Sequence, residues 1–302
     1  MTVNYQLGLL GYPVGHSLSP CLHQAALHAC RLEGDYRLFE ISPGAQSETA
    51  IRQLLDRVRL GEIQGLNVTI PYKQAVLPIL DELGDSARGI AAVNTIYLSQ
   101  GALVGENTDA AGFLIDLRQQ MASVGWQAAE DSQALVLGAG GSARAVVYAL
   151  LQSGWRVRVA GRRIDQAEEL VSSLGASTGS LARLSVLELA PGSLAELLAD
   201  SRVGLIVNTT PLGMASNRHN SPWLEGISFP GEAFLYDLVY NPAETVLMRA
   251  ARQAGLAIAG GIGMLIEQAA LAFTIWTGCT PPRQAMQQAA ETYFRERIAY
   301  LP

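Results

Sequence analysis

The chain has 302 residues, 49% hydrophobic and 16% charged, with a net charge of −6 and a pI near 5.3. At about 150 residues per domain this length predicts two domains, each able to bury an ordinary core, and excludes one small domain. The composition excludes extended disorder, and the acidic balance has the wrong sign for a phosphate backbone, so no nucleic-acid partner is expected.

The N-terminal MTVNYQLGLLGYP lacks a basic region and its apolar run ends in a turn, so it reads as a buried strand and not a signal peptide. Periodicity predicts strands at 6–11, 36–41 and 65–70, with helices at 19–30 and 47–59 between them. Another helix is expected over 71–80, with Pro71 in its first turn. This βαβα order implies a mostly parallel sheet. Residues 91–109 resemble a β-hairpin turning at Ser99-Gln100-Gly101, and 110–121 are helical.

A second block opens with a strand, a glycine turn and a helix over 133–154, followed by a strand at 155–163 and a helix at 164–174. Strands at 203–211 and 233–239 and helices at 244–255, 262–277 and 281–298 complete it, while 175–201 and 214–232 carry no signal. The apolar run 258–276 approaches bilayer length, but Gly260, Gly261 and Gly263 open it and Glu267 and Gln268 sit centrally. It reads as a buried helix, and no membrane partner is expected. The cysteines, Cys21, Cys30 and Cys279, lack metal-ligand spacing, which predicts no bound metal and a reducing, cytoplasmic compartment.

Gly138-Ala139-Gly140-Gly141-Ser142-Ala143 joins an apolar strand directly to a helix, the context that a dinucleotide fingerprint requires. Gly138 would permit the tight turn, Gly140 would admit the pyrophosphate, and Ala143 would let the helix pack close to the sheet. At the end of the next strand stand Gly161, Arg162 and Arg163, with no carboxylate before Asp165. Arginines there suit a 2′-phosphate and favour NADP over NAD. The same arginines could simply solvate a loop, and Asp165 could reach a ribose.

Of 21 basic residues, 20 are Arg and one is Lys, Lys73. Arg holds its proton near neutral pH, whereas a Lys amine can exchange one. The count alone leaves Lys73 equally open as a surface cation.

Taken together, GYPVGHSLSP (11–20), LNVTIPYK (66–73), AAVNTI (91–96), GENTDAAG (105–112), LGAGGSARA (137–145), NTTPLGM (208–214), YDLVYNP (236–242) and GGIGMLIEQAA (260–270) resemble the shikimate dehydrogenases in order and spacing. The resemblance implies a two-domain α/β enzyme for NADP-linked interconversion of 3-dehydroshikimate and shikimate. A substrate-binding domain (1–108 with 261–302) and a Rossmann-type domain (109–260) would flank an active site in the interdomain cleft. It implies Lys73 and Asp109 as catalytic pair, with Ser17, Ser19, Thr69, Asn94, Tyr240 and Gln268 joining Asp109 on the substrate. It places Met214, Leu238 and Gly261 near the nicotinamide. The family's usual NRT-x-x-R stretch departs here: Arg163 replaces Thr, and Gln166 stands where a second phosphate-binding Arg is expected.

The chemistry of these residues agrees with that assignment. A polyhydroxy acid is read by short hydroxyl, amide and phenol groups. Each alone has an ordinary alternative: Ser19 as a helix N-cap, Asn94 in a turn, Gln268 on a carbonyl, Asp109 as an N-cap. Hydride transfer to a ketone leaves an alkoxide that needs a proton, which Lys73 can supply, with Asp109 tuning its ammonium. The rivals are an NAD(P)-linked quinate/shikimate dehydrogenase and a noncatalytic dinucleotide sensor. The choice between monomer and homodimer stays open.

Overall fold

The computed structural model describes residues 3–199 and 202–298. The chain divides into two compact units, Met1–Thr108 with Ile266–Pro302, and Asp109–Leu265.

The first unit is built from β1 (Asn4–Gly11), α1 (Ser19–Ala29), β2 (Glu33–Glu40), α2 (Ser47–Arg59), β3 (Gly65–Val68), β4 (Glu82–Leu83), α3 (Asp85–Ile90), β5 (Thr95–Ser99) and β6 (Ala102–Glu106). Its sheet runs β2-β1-β3-β5-β6-β4. β1 pairs parallel with β2 and β3, and β4 with β6, while the β5–β6 hairpin adds two antiparallel pairings. Leu7, Leu9 and Leu10 of β1 are all buried, as a strand covered on both faces requires. On α2 the spacing of Ile51, Leu54, Leu55 and Val58 makes one apolar stripe. It closes on Leu10, Leu66, Val68 and Ile96 as a single core.

The expected helix over 71–80 does not form. Val76 N–H reaches the Tyr72 carbonyl once at 3.1 Å, and only a 3₁₀ turn at Leu77–Ile79 follows. Pro78 lacks an N–H, and in an α-helix its ring would meet the Gln74 carbonyl. The segment is held instead by burial of Tyr72 and Val76 in the α2 core.

The second unit contains α4 (Asp109–Ser123), β7 (Gln133–Leu137), α5 (Gly141–Gln152), β8 (Arg156–Gly161), α6 (Ile164–Thr178), β9 (Leu184–Glu188), α7 (Pro191–Ala199), β10 (Val203–Asn208), β11 (Phe234–Asp237), α8 (Val246–Gln253) and β12 (Ala257–Gly260). All six strands are parallel, in the order β12-β11-β10-β7-β8-β9. Renumbered within the unit this is the doubly wound 3-2-1-4-5-6 arrangement. β9 and α7 occupy the signal-free stretch 175–201. β12 takes the start of the apolar run read as one helix from 258, because those residues add to the sheet edge beside β11.

α9 (Ile262–Thr277) begins in this unit and continues in the first, and α10 (Arg283–Ile298) packs on α1. Among the described residues no helix is long and apolar enough to cross a membrane. On α4, the buried Asp116 is satisfied by the Tyr236 hydroxyl and by Gln120 Nε2 at 3.1 Å.

Candidate active site

In the first unit the chain order β1, β2, β3 against the spatial order β2-β1-β3 makes a switch point between β1 and β3, where ligands collect beyond the carboxyl ends of strands. The loop after β1 carries Ser17 and leads into α1 at Ser19, and the loop after β3 carries Thr69 and Lys73. Because β5 and β6 are antiparallel, the start of one and the end of the other bring Asn94 and Thr108 to that same edge. Thr69 N–H donates to the Leu10 carbonyl at 2.8 Å, and Val93 N–H to the Lys73 carbonyl at 2.8 Å, so backbone bonds stitch the loops together.

Ser17 Oγ and Ser19 Oγ lie 3.1 Å apart, and Ser19 N–H donates to Ser17 Oγ at 3.2 Å. The oxygen beside the start of α1 is therefore Ser17's, and Ser19 makes no capping bond. Asn94 is 2% exposed. Its Oδ1 accepts from Thr108 N–H at 2.8 Å and Thr95 Oγ1 at 2.9 Å, and its Nδ2 donates to Thr108 Oγ1 at 3.0 Å and Gln268 Oε1 at 3.5 Å. Asn94 and Gln268, far apart in sequence, thus meet. Behind them Asn67 donates to the Asn94 carbonyl at 3.0 Å and accepts from Tyr36 Oη at 2.8 Å. Burial pushes the Tyr36 phenol up, opposed by a hydrogen bond with Ser19. The buried network therefore runs from the Tyr36 phenol through Asn67 to the Asn94 carbonyl. Lys73 is half-buried.

In the second unit Asp109 is 6% exposed in the first turn of α4, where a carboxylate complements the helix dipole. The fingerprint turn lies where β7 neighbours β10, the switch point of this sheet. Gly138 has φ +105°, which only glycine adopts without strain, and abuts the Thr209 and Thr210 side chains. Ala143, in the first turn of α5, is fully buried. A Cβ on Gly140 or Gly141 would meet no protein atom within 4 Å, and α5 has no side-chain N-cap. Open space before uncapped helical N–H groups, with Ala139 and Ser142 in the same turn, fits a pyrophosphate. Gly161 ends β8, and Arg162 and Arg163 after it are exposed and available to a 2′-phosphate.

Met214, 40% exposed, follows β10, and Leu238 and Tyr240 follow β11. Gly261 N–H donates to the Val239 carbonyl at 3.3 Å, and a Cβ on Gly261 would overlap the Leu238 carbonyl, so only glycine allows this approach. The expected cofactor residues thus gather at the carboxyl edge of β7, β8, β10, β11 and β12.

Three family models match the chain: a shikimate dehydrogenase substrate binding domain over residues 9–96, a shikimate/quinate 5-dehydrogenase model over 120–191, and a shikimate 5′-dehydrogenase C-terminal domain over 261–291. The NADP(+) shikimate dehydrogenase of Salinibacter ruber is 43% identical, covering 93% of this chain and 95% of its own. The chain belongs to the shikimate dehydrogenase family. Among solved structures, the shikimate 5-dehydrogenase of Thermus thermophilus in complex with NADP(H) and shikimate is 36% identical, with a TM-score of 0.79 over 95% of this chain and 99% of that one. The quinate dehydrogenase of Corynebacterium glutamicum in complex with NAD is 30% identical, with a TM-score of 0.84 over 96% and 99%.

In this shikimate dehydrogenase family member, sequence reasoning passes over Tyr36, Asn67, Thr95 and Thr108 in one unit and Asn208 and Asp237 in the other. Asn67 sits inside LNVTIPYK, Thr95 inside AAVNTI, Thr108 inside GENTDAAG, and Asn208 and Asp237 inside NTTPLGM and YDLVYNP, so those five carry a signal. Tyr36, alone in a mostly exposed strand, carries none.

Proposed function

We propose that this protein is an NADP-linked shikimate dehydrogenase that reduces 3-dehydroshikimate to shikimate reversibly. The observation that carries the reading is identity above 40% along nearly the whole chain to a relative named for that activity, combined with a glycine turn shaped for a dinucleotide.

When bound, the cofactor supplies the hydride. The Ser17–Ser19 pair binds the substrate carboxylate, and Thr69, Asn94, Tyr240 and Gln268 bind its ring hydroxyls. Lys73 donates a proton to the oxygen that becomes an alkoxide during reduction and takes it back during oxidation. Asp109 orients that ammonium. Arg162 and Arg163 pair with the 2′-phosphate, as their exposure at the end of β8 supports. The three cysteines are free thiols, which supports work in a reducing cytoplasm.

Initial rates with shikimate and quinate, each against NADP and NAD, test the reading. The highest kcat/KM is expected for shikimate with NADP. Absence of shikimate-dependent reduction of either cofactor overturns it, and faster turnover of quinate with NAD assigns the chain to the chemistry of the Corynebacterium neighbour instead.

A further inference from the structure

Asp237, the last residue of β11, has no role in the reaction described above, yet it is fully buried and three donors converge on its carboxylate. Oδ1 accepts from Asn208 Nδ2 at 2.8 Å and from Val239 N–H at 3.1 Å, and Oδ2 accepts from Thr245 Oγ1 at 2.7 Å. The donors belong to three separate pieces of chain. Asn208 ends β10, Val239 lies in the loop after β11, and Thr245 caps α8 by accepting from Met248 N–H at 3.1 Å.

Each donor passes the constraint onward. Asn208 Oδ1 accepts from Thr210 N–H at 2.9 Å and Thr210 Oγ1 at 2.7 Å, fixing the start of the loop that carries Met214. The Asn208 carbonyl accepts from Leu238 N–H at 3.0 Å, and Ala215 N–H donates to the Asn241 carbonyl at 3.0 Å, so the loops after β10 and β11 are tied to each other. The Val239 carbonyl in turn holds Gly261 N–H. Of the apolar side chains in these loops Val239 is buried, whereas Met214 is 40% exposed.

A buried carboxylate is costly unless its oxygens are satisfied. An apolar side chain would serve simple core packing here as Phe234 and Leu235 do in the same strand. What an apolar residue cannot do is accept three directed hydrogen bonds from three segments. We infer that Asp237 is a positioning residue for hydride transfer: it holds the 209–217 and 238–245 loops in register so that Met214, Leu238, Tyr240 and Gly261 present a fixed surface to the nicotinamide and substrate. The inference rests on the reading of the chain as an NADP-linked shikimate dehydrogenase.

The test uses Asp237→Asn, nearly isosteric but with an amide donor in place of one acceptor oxygen, beside Thr245→Val, which deletes one of the three bonds, and Thr245→Ser, which keeps it. The readouts are kcat and KM for shikimate and NADP, the primary isotope effect with shikimate deuterated at the oxidised carbon, and amide hydrogen exchange in the cofactor-free protein. Asp237→Asn is expected to lose about 10- to 100-fold in kcat, the scale of a small misplacement of reacting groups, with a larger isotope effect. Faster exchange should be confined to 209–217 and 238–245. Thr245→Val should move the same way by less, and Thr245→Ser should stay within about threefold of the parent.

An Asp237→Asn protein with a lower melting temperature but unchanged kcat, isotope effect and loop exchange overturns the inference. If Asp237→Asn does not fold, equal kcat and equal loop exchange in Thr245→Val and Thr245→Ser overturn it. A parent without shikimate turnover defeats the functional reading instead, and the exchange comparison then decides alone whether Asp237 holds these loops.

Discussion

Lys73→Arg tests the proton donor while leaving the charge in place. The structure indicates that the fold will tolerate it. The Lys73 carbonyl keeps its bond from Val93 N–H, and the neighbouring Tyr72 stays anchored through its hydroxyl on the Ile41 carbonyl at 2.7 Å. The change at one half-buried side chain should therefore shift stability by under about 0.5 kcal/mol. Arg cannot release its proton near neutral pH, so turnover should fall by about 100- to 10,000-fold. That is about 2.7 to 5.5 kcal/mol on the barrier.

Asp109→Asn should also lose turnover, and because it removes a charge from the first turn of α4 it should cost about 0.3–1 kcal/mol of stability. In the double variant the loss should be far smaller than the product of the single losses, as for groups acting as one unit. The assay is NADPH formation from shikimate, with thermal unfolding and NADP binding measured on the same preparations. A folded, NADP-binding Lys73→Arg enzyme with turnover within a few-fold of the parent refutes the assignment.

Arg162→Ala should raise the KM for NADP about tenfold or more while barely moving that for NAD, since only a 2′-phosphate gains a charge-assisted bond there; equal losses would remove Arg162 from cofactor choice. Ser17→Ala or Ser19→Ala should weaken shikimate binding by about 1.5–3 kcal/mol, read by calorimetry, with NADP affinity unchanged. His23, fully buried and stacked on Tyr36 at 4.4 Å, is held by burial down to about 3, with Asn67 offsetting this only in part and neither ring nitrogen in hydrogen-bonding geometry. The unfolded chain takes up this proton from about pH 6.5 downward and the folded one only near pH 3. Stability is therefore full above pH 6.5 and falls with acidification. By pH 5 this group alone should cost about 2 kcal/mol, a loss that His23→Phe should abolish in urea titrations at pH 7 and pH 5.

Much of this fold is legible in the order of its amino acids. Strands such as 133–137 and helices such as 47–59 follow from apolar spacing alone, because one residue's neighbours along the chain suffice to set a period. The glycine turn is readable for the same reason, since φ > 0 at Gly138 is a local demand. The segment 71–80 misleads because its apolar residues mimic a helix while Pro78 forbids the ladder, and the burial that holds it comes from α2. β9 and β12 escape notice because short strands at a sheet edge are specified by the strand they pair with.

Local sequence is enough to specify the dinucleotide turn and, through motif order, the family and its candidate residues. Which of these touch is settled by tertiary folding alone: Asn94 meets Gln268, Tyr36 reaches Asn67, and one carboxylate, Asp237, gathers three loop segments. Those contacts join residues up to 174 positions apart. No local period encodes them, and they exist only once parallel strands bring the loops at their carboxyl ends side by side.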